Sequence, residues 1–332
     1  MTLERNFNQL DTVAERLTEQ KIKRDLLPAY RDSLKEIRNK ISVLYEKYAQ
    51  DGQLSMADVS KYNRLANLEK DIAKELKSLG ARQRASTKRV IGEVYEESYY
   101  RTAFGVEREA QAKLRFGKLP KKQVEAAVTG PVVWQDSVQD HLNQIHRQVK
   151  RDITSGIIQG KSYPDVAKDI SRRMGVGAKK AQTIARTECH RSREIGKKES
   201  LEHAYDQGVH ASKVWVSTLD DVTRDSHQEL DGQKVPVKDE EGNPGLFVSP
   251  DTGAEAPGPG QFGVAGEDIN CRCTSRGEIE GYEPEVRRSR EDGVIPQTTY
   301  PEYAKEKGWP TRYDGPEPRG NRVPPEREAA KL

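Results

Sequence analysis

Apolar side chains recur every three or four residues through about the first 115 positions, which is the spacing of one helix face. Lys, Arg, Glu and Gln, which all favour helices, fill most positions between them. Asp51-Gly52 interrupts the pattern, Ser55 with Asp58 predicts a new helix start, and Gly80 predicts a helix end. A narrow apolar stripe between charged faces is typical of a solvated helical hairpin or of an arm that docks onto a larger assembly, and both interpretations stay open.

Residues 116–135 combine Gly, Pro and a Lys pair, which predicts a linker. Helical spacing returns from about Asp136 to Ile158, and Gly160 follows it. Ser162 is a suitable cap for the next helix, which we expect to end near Gly175. Beyond that break, the pattern predicts a long helix over about residues 178–205.

From residue 213 the apolar spacing becomes alternating, which predicts a strand at 214–218. A turn with a short helix at 220–230, short strands at 234–237, 246–248 and 269–274, and a loop at 249–268 are expected after it. Residues 276–332 are rich in Pro and charge, with isolated Tyr300, Tyr303 and Trp309, and predict an extended tail. The predicted fold class is α+β: a long, mainly helical N-terminal region (1–115), the linker, a small α+β domain with short antiparallel strands (136–275), and the tail (276–332).

Composition supports about two domains rather than one thick core, because only 34% of the 332 residues are hydrophobic and 6% are aromatic. The net charge of +3 gives no sign of nucleic-acid binding over the whole chain. Three cysteines fit a reducing compartment without a disulfide framework. The charged N-terminus does not resemble a signal peptide, and no run of about 18 apolar residues predicts a membrane span. We expect assembly in the cytoplasm with no membrane contact.

One segment is locally basic, between residues 147 and 198. Within it, residues 174–181 resemble the hairpin of helix-hairpin-helix DNA-binding modules, in which glycine backbone amides and following lysines approach a phosphate. A plain corner between two helices, with a solvated basic surface, is the alternative. The candidate DNA-binding residues are Arg172, Arg173, Gly175, Gly177, Lys179 and Lys180.

A set of short motifs follows in a fixed order between residues 184 and 273. They are IARTE at 184–188, a tryptophan, D-x-x-T-R-x-x-H-x-x-L-D-G at 220–232, F-x-x-P at 247–250, a Pro/Gly loop, and NCRC at 270–273. Together they resemble the phage head morphogenesis (Mu F-like) family over about residues 140–275. The candidate motif residues are Arg186, Glu188, Trp215, Asp220, Arg224, Asp231, Gly232 and Asn270.

This resemblance implies a minor head protein of a tailed bacteriophage, present inside or at the procapsid and associated with the portal vertex. The implied partners are the portal protein and capsid or scaffold proteins, and in some members packaged or ejected double-stranded DNA. The resemblance brings no established catalytic activity. Residues 1–115 and the tail carry no motif of the family, and their assignment depends on composition.

A histidine and three cysteines are candidate ligands for a structural zinc ion, because imidazole and thiolate are ligands that zinc prefers. They are His227, Cys271, Cys273 and Cys189, with His190 as the alternative fourth ligand. A strand would place Cys271 and Cys273 on opposite faces, so both can bind one ion only if the strand is bulged or bent. The alternative is a cysteine that packs in the core and a histidine that forms a local hydrogen bond.

Three functions remain in competition. The first is a structural assembly protein of the phage head. The second is a metal-assisted nuclease or hydrolase using His227, Glu229, the nearby aspartates and the cysteines, although no recognised metal-hydrolase spacing is present. The third is a DNA-binding module on the basic helical face, which is compatible with the first.

Overall fold

The computed structural model describes residues 3–130, 134–280, 286–289 and 292–308. Long helices dominate the first two thirds of the chain, and short strands with three short helices follow. The longer helices are α1 (Leu3–Lys21), α2 (Leu27–Tyr48), α4 (Arg64–Glu109), α6 (Trp134–Ile158) and α7 (Tyr163–Tyr205), with short helices α3 (Met56–Ser60), α5 (Lys121–Thr129), α8 (Asp225–Leu230), α9 (Ala265–Asp268) and α10 (Tyr300–Lys307). The strands are β1 (Ala211–Val216), β2 (Lys234–Pro236), β3 (Phe247–Val248), β4 (Glu255–Ala256), β5 (Thr274–Ile279), β6 (Val286–Ser289) and β7 (Gly293–Pro296). The predicted α+β class is confirmed.

The chain divides into two compact units that do not follow its linear order. The helical unit comprises Glu15–Glu93 and Val128–Cys189. The α+β unit combines the chain up to Ala14, Val94–Ala127 and the chain from His190 onward. Helices α1, α4 and α7 therefore each contribute residues to both units.

Apolar stripes hold the helical unit together, as their spacing predicts. Ile37 and Ile41 of α2, Ile72 of α4 and Val149 of α6 are all buried, within 1% of full burial. Several helix ends carry the caps that the sequence indicates. The Ser55 hydroxyl accepts from the Asp58 amide at 3.1 Å and caps α3. Gly160, with φ of +65°, follows the end of α6.

Two predicted helix ends at glycine are wrong, because α4 continues through Gly80 and α7 continues through Gly175 and Gly177. Helix α7 therefore has no hairpin or corner at residues 174–181. A Cβ on Gly80 would lie 2.5 Å from Leu142 Cδ1, and one on Gly177 would lie 2.7 Å from Ile145 Cδ1. Glycine is less favourable than alanine within a helix by about 1 kcal/mol. These two glycines allow close helix packing, which offsets that cost.

The predicted linker also contains regular structure. Helix α5 occupies Lys121–Thr129, and Trp134 already begins α6. Leu119 and Ala127 are buried in a cluster with Tyr95 and Tyr99. The Gly, Pro and Lys residues that indicated a linker lie beside short apolar stretches that find partners on α4, which sequence spacing alone does not reveal.

An antiparallel sheet forms the base of the α+β unit, in the order β2-β1-β5. Strand β1 is central and pairs with β5 along its full length, from Ala211 opposite Ile279 to Val216 opposite Thr274. The second half of α7 packs on this sheet, where a Cβ on Gly277 would lie 2.7 Å from Leu201 Cδ2. The predicted strand at 269–274 is wrong: pairing starts at Thr274, so both cysteines precede the strand.

Part of the predicted extended tail is folded. Strands β6 and β7 form a hairpin, and α10 follows with a capping box between Thr299 and Glu302. Tyr300 and Tyr303 are buried in a cluster with Leu219. Arg287 lies in β6, Pro296 in β7 and Pro301 in the first turn of α10, so composition alone indicated too little structure. Trp309 and the remainder of the predicted tail lie outside the described residues.

Candidate functional site

Three candidate ligands meet in one buried cluster of the α+β unit. His227 lies on α8, and Cys271 and Cys273 lie just before β5. The Nδ1 atom of His227 is 3.6 Å from the Cys271 sulfur and 3.5 Å from the Cys273 sulfur. The three potential ligand atoms all lie within 4.8 Å of one another. The structure thus brings together three of the four residues that the sequence nominated as zinc ligands.

A turn rather than a strand presents the two thiols. Asn270 has a φ of +59°, a left-handed conformation that asparagine adopts more readily than most residues. The Cys271 amide then donates to the Asp268 carbonyl at 3.2 Å. Because residues 271–273 are outside the β-ladder, the alternation of side chains that would separate the two sulfurs does not apply to them.

Arginine and carboxylate groups hold this turn on its outer side. Arg272, between the two cysteines, forms a bidentate ion pair with Asp220, with Nη2 to Oδ1 at 2.8 Å. Burial opposes ionisation of Asp220, but Arg272 and further hydrogen bonds lower its pKa. Arg224 donates to the Ile269 carbonyl. These motif residues therefore fix the loop that carries the thiols, at a distance of up to 52 positions in sequence.

An acidic residue that the motif analysis missed orients the histidine. Glu267, on α9, lies 2.9 Å from His227 Nε2 through its Oε2 atom. Its two oxygens also accept from Ser226 at 3.1 Å and Ser249 at 2.6 Å. The signal for Glu267 was weak, because an acidic residue in a Gly-rich loop resembles an exposed position, yet it is only 3% exposed.

Burial and mutual contact shift the titration of these groups in different directions. Burial opposes protonation of His227, but contact with Cys273 and with the Glu267 carboxylate raises its pKa overall. Burial opposes ionisation of Cys273, yet its contacts with Cys271 and His227 lower its pKa. Hydrogen bonding to Cys273 and burial raise the pKa of Cys271. One thiol is thus the stronger acid of the pair.

An aromatic shell encloses the cluster. The Trp215 ring lies against the His227 ring at 5.3 Å and against Phe247 at 5.4 Å, and Phe262 packs on both Trp215 and His227. Trp215 is fully buried on β1. The motif tryptophan and the F-x-x-P phenylalanine thus form the walls around His227 and the thiols.

Asp231 and Gly232 do more than make a turn. Gly232 has a φ of +76°, and its amide donates to the Trp215 carbonyl at 2.9 Å. Asp231 accepts from the Ser217 amide at 2.7 Å, from the Tyr300 amide at 2.6 Å and from both terminal nitrogens of Arg287. The carboxylate therefore connects β1 with the β6–β7 hairpin and α10. Both elements lie in the segment for which the sequence predicted an extended tail.

The structure does not add the predicted fourth ligand. Cys189 belongs to the helical unit, where its thiol bonds with Thr18 and burial raises its pKa to about 12. His190 contacts the Cys273 carbonyl at 2.7 Å through Nε2, and burial lowers its pKa to about 4. Within the described residues, neither joins the cluster of His227, Cys271 and Cys273. Cys189 belongs to the other unit, and His190, although in the same unit as the cluster, is engaged by a backbone carbonyl.

The IARTE segment contributes to α7 rather than to the cluster. Arg186 forms a bidentate pair with Glu19 of α1 at 2.6 and 3.1 Å, within the helical unit. Glu188 is buried, 5% exposed. Both residues lie on α7, and neither belongs to the cluster of His227, Cys271 and Cys273.

The candidate DNA-binding residues are spread over one continuous helix. Arg172 pairs with Asp169 at 3.0 Å, and Arg173 pairs with Asp152 at 2.8 Å. The carbonyl of Gly177 bonds with His141 at 2.9 Å. Lys179 and Lys180 are exposed. Without a hairpin, the glycine amides are part of the helix ladder and do not form the expected phosphate cradle.

A buried charge network beneath the sheet was also missed. Glu194 of α7 accepts from Lys197 at 3.2 Å, from Arg193 at 3.0 Å and from the Ser275 amide at 2.8 Å. Asp11 of α1 completes it, 2.6 Å from the Lys197 nitrogen. Burial opposes ionisation of Glu194, but Lys197 and Arg193 lower its pKa to about 2. Helical spacing alone marks such residues as solvent-facing, so no sequence signal distinguished them.

Comparison with known proteins agrees with the motif order. The family described as Phage Mu protein F like protein matches residues 147–276. The minor head protein GP7 of Bacillus phage SPP1 is 31% identical over 312 residues, covering 91% of this chain and 97% of that protein. The chain belongs to the phage head morphogenesis family. It is a minor head protein of this family, as its motifs predicted, and a component of the virion head that associates with other head proteins.

A second relative carries the name NAD(+)--arginine ADP-ribosyltransferase EFV, from Enterococcus faecalis (strain ATCC 700802 / V583). It is 30% identical over 269 residues, covering 80% of this chain but 53% of that protein. The chain thus spans about half the length of this relative. No solved structure matches the chain. Among the described residues, no helix is both long enough and apolar enough to cross a membrane.

Proposed function

We propose that this minor head protein acts in procapsid assembly at the portal vertex, inside the head, after synthesis in the host cytoplasm. The observation that carries the proposal is the match to a phage minor head protein along nearly the whole chain, arm included. A role that needed only the Mu F-like domain would not require similarity to extend through the helical N-terminal region. The proposed partners are therefore the portal protein and the capsid or scaffold proteins around it.

The internal contacts of the Mu F-like domain favour assembly over catalysis. Its polar motif side chains are held by charged partners: Asp220 binds Arg272, Asp231 binds Arg287, and His227 binds Glu267. A general base or nucleophile must reach a substrate, whereas His227 and Glu267 are 1% and 3% exposed. These pairs stabilise a rigid domain, which suits a protein that must fit into a symmetric shell.

Heads assembled with and without the portal protein would test the location. The head genes are co-expressed with this chain, procapsids are purified, and the chain is quantified per capsid protein. We expect the chain in portal-containing procapsids and its loss from portal-free ones. Equal amounts in both would contradict a portal location and indicate binding to the capsid lattice instead.

We further propose that the chain has no ADP-ribosyltransferase activity. The proposal is supported by the family match at residues 147–276 and by the fact that about half of the transferase-named relative has no counterpart here. Incubation with labelled NAD⁺ and an arginine-rich acceptor protein tests this directly. Label transfer above the level of a heat-denatured sample would contradict the proposal.

Contact with packaged DNA is proposed only as a non-specific charge interaction. Lys179 and Lys180 are exposed on α7, whereas Arg172 and Arg173 are held by aspartates. We expect weak retention on duplex DNA that falls steeply with salt, and further loss in Lys179→Glu/Lys180→Glu. Unchanged retention in that variant would remove these lysines from the proposed interface.

A further inference from the structure

We propose that His227, Cys271 and Cys273 bind a zinc ion that holds α8 against the loop before β5. The first argument is distance. Tetrahedral zinc with bonds of about 2.3 Å to sulfur and about 2.05 Å to nitrogen separates a sulfur and a nitrogen ligand by about 3.6 Å. The two sulfur-to-Nδ1 distances are 3.6 and 3.5 Å.

The second argument is hydrogen-bond capacity. Both thiols converge on the same ring nitrogen, and Nδ1 of a neutral imidazole has one lone pair in the ring plane. It can therefore accept a hydrogen bond from one thiol but not from two. A shared metal ion satisfies all three atoms at once, because each then directs its lone pair to a common point.

The third argument is the state of the histidine. Glu267 accepts a hydrogen bond from Nε2 at 2.9 Å, so the imidazole proton is on Nε2. The lone pair of Nδ1 is then available to coordinate a metal ion. Ser226 and Ser249 fix the carboxylate in turn. Carboxylate, imidazole and metal in this order form the arrangement by which proteins orient a histidine ligand, and Glu267 is thus a positioning residue.

Burial and chemistry select the ion and its role. Two thiolates and one imidazole are soft and intermediate ligands, which suit zinc better than magnesium or calcium. Two thiolates also neutralise the charge of a divalent ion within an aromatic shell. The three ligands are 1–5% exposed, which gives a substrate no access. The described residues supply three side-chain ligands, which leaves one position of a tetrahedral ion to a further ligand.

Metal content of the untagged full chain, expressed in zinc-supplemented medium, provides the test. We expect about one zinc ion per chain by mass spectrometry of the metal. Cys271→Ser/Cys273→Ser should lose it, whereas Cys189→Ser, a buried cysteine of the helical unit, should retain it. Folded wild-type chain without zinc would overturn the proposal, and so would zinc that remains in the double variant.

Cobalt provides a readout that does not depend on a variant that folds. Co²⁺ added to chelator-treated wild-type protein should give the near-ultraviolet thiolate charge-transfer band and the visible bands of tetrahedral cobalt.

Glu267→Gln should bind zinc about 10–100-fold more weakly in competition with a chromophoric chelator. A cobalt spectrum without thiolate bands, or unchanged affinity in Glu267→Gln, would contradict the assigned ligands or the role of Glu267.

Discussion

The two units of this protein are stabilised by different means. In the helical unit, apolar stripes form the interior and charges pair near the surface, as Lys150 does with Glu69 at 2.8 Å, with the lysine 55% exposed. In the α+β unit, charged groups lie in the interior, where Lys197 and Glu194 are both fully buried. Replacement of a charged side chain should therefore cost less stability in the helical unit than in the α+β unit.

The difference also explains why the structure of the helical unit is easier to predict from the sequence than that of the α+β unit. A helical stripe is a local pattern, and each residue of it can be assigned from its neighbours. A buried charge requires partners elsewhere in the chain, as Glu194 does with Ser275, 81 positions away. The α+β unit thus depends on contacts that no local pattern encodes.

The strongest test of the comparison replaces one fully buried carboxylate, Glu194, and one partly exposed carboxylate, Glu69. Glu194→Gln should lower the free energy of unfolding by about 3–5 kcal/mol, because Lys197 and Arg193 lose a charged partner within the interior. The matched change Glu69→Gln should cost less than about 1 kcal/mol. Chemical denaturation monitored by circular dichroism measures both. Similar costs for the two variants would show that the units do not differ in this way.

Acid should affect the α+β unit through the same carboxylate. The pKa of Glu194 lies at about 2 in the folded state, below its ordinary value of 4.5. A lowered folded pKa stabilises the fold above the ordinary value, and this stabilisation is lost as the pH falls toward about 2. We expect the protection of β5 amides, measured relative to the intrinsic exchange rate at each pH, to fall between these limits. In Glu194→Gln that dependence should be weaker, and an identical pH profile would contradict the assignment.

Asp231 tests whether the α+β unit includes the hairpin and α10. Asp231→Asn should cost about 1.5–3 kcal/mol, because Arg287 loses a charged acceptor and the Ser217 and Tyr300 amides keep weaker ones. Limited proteolysis should then cut sooner near residues 292–308. Asp239→Asn, at an exposed turn, is the control. Equal cleavage in both variants would indicate that Asp231 does not hold this segment.

A pair of glycines on α7 gives the smallest predicted effects, with opposite signs. Gly196→Ala should cost about 1–3 kcal/mol, since its Cβ would lie 2.6 Å from the Tyr95 carbonyl oxygen of α4. Gly175→Ala should stabilise the protein by about 0.5–1 kcal/mol, because nothing lies within 4 Å and alanine favours the helix. Thermal unfolding distinguishes them. A stabilising Gly196→Ala would mean that the two helices can move apart.

The sequence predicted the long helices, strands β1 and β2 and the family, because periodicity and motif order are local signals. The prediction failed at residue types that occur in more than one structural environment. Gly80 and Gly177 resemble helix ends but allow close packing against Leu142 and Ile145. Tyr300 and Tyr303 resemble isolated tail residues but pack against Leu219.

The candidate site was predicted in part for the same reason. His227, Cys271 and Cys273 were recognisable from ligand chemistry, and the structure places them together. Cys189 does not join them, because it belongs to the helical unit although the next residue, His190, belongs to the α+β unit. Glu267 was missed because orientation of a histidine by a carboxylate depends on a contact across 40 positions.

The network of Asp11, Glu194, Lys197 and Thr274 has a consequence for biosynthesis. Asp11 leaves the ribosome early, whereas Thr274 and Ser275 follow more than 260 residues later, as the separation of Asp11 and Thr274 shows. Contacts this distant in sequence close slowly, and nascent chains meanwhile expose their unpaired segments. The Asp11 carboxylate of α1 therefore stays in water until β5 has been synthesised.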